Sequence, residues 1–489
     1  MITLSSADLD DLEALSRSGE RKKVIKRLKS INTKRIPRDL KLRVANLARR
    51  NHLLLLALRI LNPIVRSELV LEKPVTSEEQ AEYAVALLNY GALSEAQALL
   101  DGLDSEETPE ILLYRAFCLF GQWKYKESIQ PLELYIDRMR DVDDYQKLVG
   151  QVNLCAALIF DGQFGNALGI LDEVIDSTKN SGHKLLEGNC WELRAQAQFG
   201  LQKFKKAAED IEIANQRLGR SEDLNNFYVE KWKTIFSVHG MKSPKRGLDR
   251  LVELKQSAEE NYHWETLREC DFYISVFSKN KNLFEQVYFG TPYESYRKMM
   301  VEKWVAAKPK SESFIWNKGQ SQVLQIHKGK INEELVFRDG ELISRLLSFL
   351  FSDFYVPKRV ASIFSFLHPE EYFDPNTSPT RVYQLVKRLK QHLKKHKINI
   401  EVHSRSGAYH CSLPLNLSID FSGQVNQSIE MAYLEKLQLN NIVEFKSKDL
   451  QSLFSCSRAT VTRFLRWGTS QGFFQKCGSG PSQFYKKVS

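Results

Sequence analysis

The sequence lacks the features of several classes of protein. It has no run of 18 apolar residues, and the nearest, Leu53–Leu61, is short and contains Arg59, so no membrane span is expected. The first residues, Met1–Asp11, are acidic and do not show the basic and then apolar order of a secretory signal. The cysteines stand at positions 118, 155, 190, 270, 411, 456 and 477 and include no CxxC pair. Their odd number and spacing predict free thiols and a cytoplasmic location.

Motifs for catalysis are also missing. The chain contains no GxxxxGK[ST], GxGxxG, HExxH or GxSxG sequence. His183, His239 and His263 are isolated from one another and do not have metal-ligand spacing. We therefore predict a protein that is not an enzyme, with no catalytic residue, no metal site and no cofactor.

The charge is distributed unevenly along the chain. The net charge is +10, from 70 Lys and Arg against 60 Asp and Glu. Residues 311–489 hold 24 basic and 15 acidic residues, a net of +9, whereas residues 1–310 hold 46 and 45, a net of +1. A neutral body with a basic end is typical of a protein that binds a polyanion with one part, although a basic surface can also serve solubility alone.

The first 290 residues contain a repeated helical pattern. Residues 152–176 have the apolar spacing of two helices joined by a turn at Gly162 and Phe164, with Ala167 on the apolar face of the second helix. Corresponding turn positions recur at residues 21, 53, 93, 125, 164 and 204, with weaker copies near 244 and 283. The steps between them are 32 to 40 residues.

This pattern resembles tetratricopeptide repeats over about residues 8–290. The resemblance implies an α-solenoid of stacked helical hairpins whose groove binds a protein or peptide partner. An unrelated all-α bundle is the alternative. Trp123, Trp191, Trp232 and Trp264 fall on helical faces, so we expect them in the core rather than in a ligand site.

Residues 291–314, with Pro292, Pro309 and several Lys and Ser, are predicted to form a linker. In residues 315–414 the spacing of the apolar residues is no longer that of the helical repeats. The predicted elements are short strands in 321–337, helices over 340–353 and 358–366, a basic helix over 378–397 capped by Ser378, and a hairpin over 399–412.

That order resembles the winged-helix DNA-binding domain of the OmpR/PhoB family. Gly407-Ala408-Tyr409 is similar to the Gly-Tyr of that family's wing, and Val386, Leu389 and Leu393 match core positions of its recognition helix. The family's phosphoacceptor receiver domain does not precede these residues, because the helical repeats occupy that place. The resemblance therefore implies DNA binding but not control by aspartate phosphorylation.

The basic helix has one apolar and one basic face. Val382, Leu385, Val386, Leu389 and Leu393 form the apolar stripe. Arg and Gln make bidentate contacts to guanine and adenine edges, and Lys neutralises phosphates. The predicted DNA-binding residues are Arg381, Gln384, Lys387, Arg388, Gln391, Lys394 and Lys395 on the helix and Arg405 at the hairpin tip. A solvated basic face on a core helix is the alternative.

His392 and His396 have the i, i+4 spacing of metal ligands. The surrounding lysines make a divalent cation unfavourable there, so we predict histidines that face solvent or phosphate.

A second unit of similar order follows a polar linker at 415–427. Residues 428–489 resemble a bacterial winged helix-turn-helix, with helices over 428–439, 446–455 and 456–472 and a hairpin over 473–488. Val461, Phe464 and Leu465 are the predicted core of its recognition helix. The predicted DNA-binding residues are Arg458, Thr462, Arg463, Arg466 and Lys476. Use of this unit for protein contacts alone stays open.

The sequence therefore predicts a mainly α protein, a tetratricopeptide-like α-solenoid followed by two small α+β winged-helix domains. The expected function is a DNA-binding transcription regulator in which the solenoid senses or recruits a partner and the winged helices bind double-stranded DNA. The alternative is an interaction scaffold whose winged helices bind protein. No membrane partner is expected, and a homodimer is left open.

Overall fold

The computed structural model describes residues 5–17, 21–67, 73–218, 224–240, 245–303, 315–316, 322–326, 329–331, 334–338, 341–369, 371–405, 407–412, 417–420, 429–440, 442–454, 458–478 and 483–488. The chain divides into two compact units. The first consists of Met1–Lys310, Ser352–Tyr383 and Ser404–His410, and the second of Ser311–Phe351, Gln384–His403 and Cys411–Ser489.

The first unit begins with a succession of helices. These are α1 (Ser6–Arg17), α2 (Arg21–Lys29), α3 (Lys41–Arg50), α4 (Leu54–Val65), α5 (Ser77–Tyr90), α6 (Leu93–Asp101), α7 (Glu110–Phe120), α8 (Tyr125–Met139), α9 (Asp144–Phe160), α10 (Phe164–Asn180), α11 (Lys184–Gly200), α12 (Phe204–Leu218), α13 (Leu224–Gly240), α14 (Lys245–Glu260), α15 (Trp264–Ser278), α16 (Lys281–Phe289) and α17 (Glu294–Lys303). Two short 3-10 helices, Thr33–Arg35 and Arg38–Leu40, lie between α2 and α3.

These helices form the predicted hairpins. Leu93, Tyr125, Phe164 and Phe204, the repeat markers of the sequence, are each the first residue of the second helix of a pair. One continuous core of buried side chains extends through the helices from α7 to α17. Because each hairpin buries its apolar face only against its neighbours, this arrangement confirms the tetratricopeptide-like solenoid.

Small residues allow the close approach of the paired helices. Ala167 and Ala207 are both 0% exposed, as the repeat register requires. Trp191 and Trp232 are 9% and 6% exposed, which confirms their place in the core. Trp123 and Trp264 are half-buried and pack against the same core.

The solenoid continues into the segment 291–314 that the sequence assigns to a linker. Helix α17 lies there, and both Tyr296 and Met300 on it are 0% exposed. The flanking prolines and lysines indicate a linker, but the apolar pair Tyr296 and Met300 joins α17 to the core.

The remaining elements are short strands and helices of 8 to 18 residues. They are β1 (Ile315–Trp316), β2 (Gln322–Gln325), β3 (Lys330–Ile331), β4 (Glu334–Leu335), α18 (Leu342–Leu350), β5 (Lys358–Arg359), α19 (Val360–Leu367), α20 (Ser378–Lys395), β6 (Glu401–Arg405), β7 (Ala408–Ser412), β8 (Leu417–Asp420), α21 (Ile429–Leu439), β9 (Glu444–Phe445), α22 (Ser447–Phe454), α23 (Arg458–Ser470), β10 (Phe474–Cys477) and β11 (Phe484–Lys487). The predicted helices and hairpins are present, and only their ends differ.

Three small sheets accompany these helices in the part of the chain that the structure describes. Their strand orders are β1-β8-β2-β3-β4, β5-β7-β6 and β10-β11-β9. Strand β8 pairs antiparallel with β1 and parallel with β2, although it lies within the predicted linker 415–427. The third sheet shares a separate core with α21, α22 and α23, which includes Leu437, Phe464 and Phe474.

Residues 352–383 belong by their contacts to the helical repeats. Arg268 on α15 donates a hydrogen bond to the Oδ2 atom of Asp353 at 2.6 Å, and both side chains are buried. The hydroxyl of Tyr355 donates to Asp271 at 3.0 Å. At α19, the hydroxyl of Ser362 donates to the carbonyl oxygen of Gly91 at 2.8 Å. A buried ion pair and these hydrogen bonds therefore fix this segment on the solenoid.

In the part of the chain that the structure describes, no helix combines the length and the apolar character needed to cross a bilayer.

Candidate nucleic-acid interface

Helix α20 has the amphipathic character that its sequence predicts. The five residues of its apolar stripe, from Val382 to Leu393, are between 0% and 5% exposed. All seven predicted DNA-binding residues of this helix are exposed. The 3.6-residue period places these two sets on opposite sides, so the basic and amide side chains form one continuous outer face.

Arg381 on this face has partners within the protein. Its Nη2 atom donates to Oε1 of Glu371 at 3.0 Å, and its guanidinium lies 5.0 Å from the centre of the Phe364 ring. The hydrogen bond from Arg381 lowers the pKa of Glu371. Glu371 therefore stays ionised and competes with any external acceptor for this guanidinium.

The start of α20 also differs from the prediction. Ser378 is the first residue of the helix and not the residue before it. Its hydroxyl oxygen accepts a hydrogen bond from the backbone N–H of Asp374 at 3.0 Å. The Asp374 carboxylate in turn accepts from the N–H of Asn376, so a local turn fixes the entry to the helix.

The hairpin after α20 consists of β6 and β7. Gly407 turns it with φ of +76°, a backbone conformation that favours glycine. Arg405 is exposed at the end of β6, as predicted, but its guanidinium lies 3.6 Å from the centre of the Tyr262 ring, in the turn between α14 and α15. The hairpin tip is thus held by a cation–π contact to the helical repeats.

The second predicted recognition helix, α23, shows the same division into two faces. Val461, Phe464 and Leu465 are between 0% and 4% exposed. The predicted DNA-binding residues of this unit, Arg458, Thr462, Arg463, Arg466 and Lys476, are exposed. The hydroxyl of Thr462 donates to the carbonyl oxygen of Arg458 at 2.9 Å, an intrahelical bond that uses its proton.

His392 and His396 lie side by side at the end of α20. Nε2 of His392 lies 2.9 Å from the carbonyl oxygen of Val336, and the two imidazole rings are 4.4 Å apart. Among the residues that the structure describes, no group of three or more His, Cys, Asp or Glu side chains has metal-binding geometry.

All thirteen predicted DNA-binding residues are therefore exposed: seven on α20, Arg405 at the end of β6, four on α23 and Lys476 on β10. The sequence did not indicate Glu371 and Tyr262, the intramolecular partners of Arg381 and Arg405. Glu371 lies only ten residues before Arg381, and it is one of three acidic residues, with Glu370 and Asp374, that shortly precede the basic helix in sequence. Tyr262 is too distant in sequence to give any signal.

No protein-family model matches the chain, and no curated protein matches it. Solved structures of Rap proteins are similar to it. One, a Rap protein complexed with competence and sporulation factor, is 12% identical over 79% of this chain and 98% of that chain, with a TM-score of 0.42. Another, the Rap conjugation gene regulator of plasmid pLS20 in complex with the Phr* peptide, is 8% identical over 79% and 94%, with a TM-score of 0.38. Aspartyl phosphate phosphatase F from Bacillus subtilis is 10% identical over 83% and 99%, with a TM-score of 0.36. Similarity this weak gives no correspondence of residues or of function.

Proposed function

We propose that this chain is a DNA-binding transcription regulator. In this proposal the helical repeats sense or recruit a partner, and two winged-helix units, residues 315–414 and 428–489, bind double-stranded DNA. The first of these is OmpR/PhoB-like. The supporting observation is the outer face of α20, where basic and amide side chains are exposed and the opposite side is buried. The cytoplasmic location stays part of the proposal.

The chemistry of this face suits a duplex. Gln384, Arg388 and Gln391 present the groups that make bidentate contacts to base edges in the major groove. Lys394 and Lys395 lie in the last turn of the helix, where we expect contacts to phosphates only. Arg381 and Arg405 join the interface when DNA replaces Glu371 and Tyr262 as their partners.

Two substitutions on α20 test this division between base and phosphate contacts. Arg388→Ala should cost about 1–3 kcal/mol of binding free energy on the preferred site and relax the preference at one base position. Lys395→Ala should weaken binding to all sequences about equally. The control is Lys205→Ala, at an exposed position on α12, which should leave binding unchanged. Equal effects of all three changes on a panel of duplexes would contradict a base-reading α20.

A non-enzymatic interaction scaffold is the second candidate, because two predicted DNA-binding arginines already have partners in the protein. Arg381 pairs with Glu371, and Arg405 lies on Tyr262. A substitution in the second unit distinguishes DNA binding from protein binding by that unit. If α23 reads DNA, Arg463→Ala should shorten the footprint of the protein and weaken binding. If the footprint is unchanged while Arg388→Ala acts as expected, the second unit binds protein.

A further inference from the structure

The helical repeats have a cavity of about 320 Å³. Its wall includes side chains from α7, α9, α11, α13 and α15, the first helices of five successive hairpins. Aromatic rings make up much of this wall, among them Trp123, Tyr228, Trp232 and Tyr293. The volume is at the lower end of the range for ligand pockets, roughly 300–1,000 Å³, so it suits a small ligand or one or two side chains.

The charged groups at this cavity leave an excess of negative charge. Glu192, Glu265 and Glu269 line it together with a single cation, Lys231. Arg268 behind the wall adds one positive charge, but it pairs with Asp353 as well as with Glu265. Four carboxylates therefore stand against two cations, a difference of two negative charges at a pH above the Glu192 pKa of about 7, where all four are ionised.

One ammonium group is already held by the wall. Lys231 pairs with Glu269, and its Nζ atom lies 4.9 Å from the centre of the Tyr228 ring and 5.0 Å from that of Trp232. The electron-rich faces of aromatic rings attract cations, and desolvation strengthens that attraction. Lys231 thus shows which kind of group the rings and carboxylates of this wall stabilise.

Glu192 is the carboxylate whose charge is least compensated. It lies on α11 and accepts a hydrogen bond from the amide of Gln196 at 2.7 Å, and the nearby Lys231 ammonium, which attracts its charge, already pairs with Glu269. An amide donor satisfies one lone pair but supplies no positive charge. A ligand cation beside the Glu192 carboxylate would supply that charge.

We propose that this cavity binds an organic cation, a primary ammonium or a guanidinium group carried on an apolar body. The aromatic rings would cover the apolar body and part of the cation, and Glu192 would pair with the charge. This inference rests on the sensing role proposed for the helical repeats and names its ligand class. The same chemistry is found in free amines and in basic side chains of peptides.

Calorimetric titration of the full-length protein with matched probes tests the ligand class. Phenethylammonium should bind at least tenfold more tightly than 2-phenylethanol, which keeps the ring but lacks the charge, and 3-phenylpropionate should not bind. The amide of the dipeptide Leu-Arg distinguishes a basic peptide from a free amine as the natural ligand. If it binds more tightly than phenethylammonium, the ligand is a basic peptide. If it binds more weakly, the ligand is a free amine. Equal affinity for the amine and the alcohol, or no binding of either cation, would overturn the proposal.

Two variants locate the site. Glu192→Gln should weaken binding of the cation about tenfold, and Tyr228→Leu, which removes a ring but keeps an apolar side chain, should also weaken it. Glu133→Gln on the exposed side of α8 is the matched control and should have no effect. Thermal unfolding by circular dichroism verifies that each variant is folded. An unchanged affinity in folded Glu192→Gln protein would contradict this site.

Duplex binding measured on the same preparations separates the two proposals. If the protein binds DNA but not the cations, only the proposal of the ligand site is overturned. Failure to bind DNA, with the titration intact, would overturn only the DNA-binding function.

Discussion

Asp353 joins the segment after α18 to the helical repeats through one buried carboxylate. It accepts a hydrogen bond from Arg268 at 2.6 Å and others from the backbone N–H groups of Tyr355 and Val356. Asp353→Ala would leave the Arg268 guanidinium buried with one partner fewer, so we expect a loss of about 3–5 kcal/mol in the free energy of unfolding. Asp137→Ala, which breaks an exposed pair with Arg140, should cost less than about 1 kcal/mol. Urea unfolding of both variants compares them, and similar costs would contradict the buried pair.

Glu192 makes the stability of the helical repeats depend on pH. Burial raises the pKa of its carboxyl group from 4.5 to about 7. Between these values the folded protein keeps a proton that the unfolded chain has lost, so the free energy of unfolding falls as the pH rises. Glu192→Gln should make this fall shallower between about pH 5 and pH 7, and Glu133→Gln should leave it unchanged. Asp210, whose pKa burial raises to about 6, keeps part of the slope. Identical slopes in the wild-type protein and Glu192→Gln would refute this role.

The glycine that follows α5, Gly91, packs so closely against α19 that a side chain would not fit there. Gly91 has φ of +102°, and a Cβ atom there would lie 2.4 Å from the hydroxyl oxygen of Ser362. Gly91→Ala should therefore destabilise the protein by more than about 1 kcal/mol. Gly169 lies inside α10, and a Cβ atom there would meet nothing within 4 Å. Gly169→Ala should instead stabilise the protein by about 0.5–1 kcal/mol, because alanine is the better helix former. Opposite shifts of the melting temperature are the expected result, and shifts of the same sign would contradict this packing.

The elements that could be predicted from the sequence are those defined by local patterns. The apolar stripe of α20 has the helical period, and the turn markers at Leu93 and Phe164 stand at the first residues of their helices. Strand β8 escaped prediction because its partners, β1 and β2, lie about a hundred residues earlier in the chain. The Arg268–Asp353 pair joins residues 85 positions apart, which no local period indicates.

The candidate DNA-binding face could be predicted because local sequence patterns define it, whereas the cavity could not be predicted from the sequence. Every residue proposed for α20 and α23 lies on a helix whose opposite side is apolar, so exposure follows from spacing alone. The cavity is assembled from five hairpins, and its wall joins residues from Phe120 to Tyr293. Trp123 and Trp232 fit a core position equally well by spacing, and only the packing of the hairpins shows that they line a cavity.

The whole molecule combines a nearly neutral helical-repeat region with a basic end. Residues 311–489 carry a net charge of +9 out of +10. If the exposed faces of α20 and α23 bind a duplex, contacts to phosphates supply most of the affinity, and each phosphate neutralised releases counterions. Binding must then weaken steeply as the salt concentration rises.

The most direct measurement is the equilibrium binding of the full-length protein to duplex DNA over a range of salt concentrations. If α20 and α23 bind the duplex, the logarithm of the association constant should fall linearly with the logarithm of the salt concentration, with a slope of about −0.9 for each phosphate contacted. Lys395→Ala should reduce the magnitude of this slope by about one unit. A flat salt response, or a slope that is the same in the variant in which Lys387, Arg388, Lys394 and Lys395 are all replaced by Gln, would contradict duplex binding by these helices.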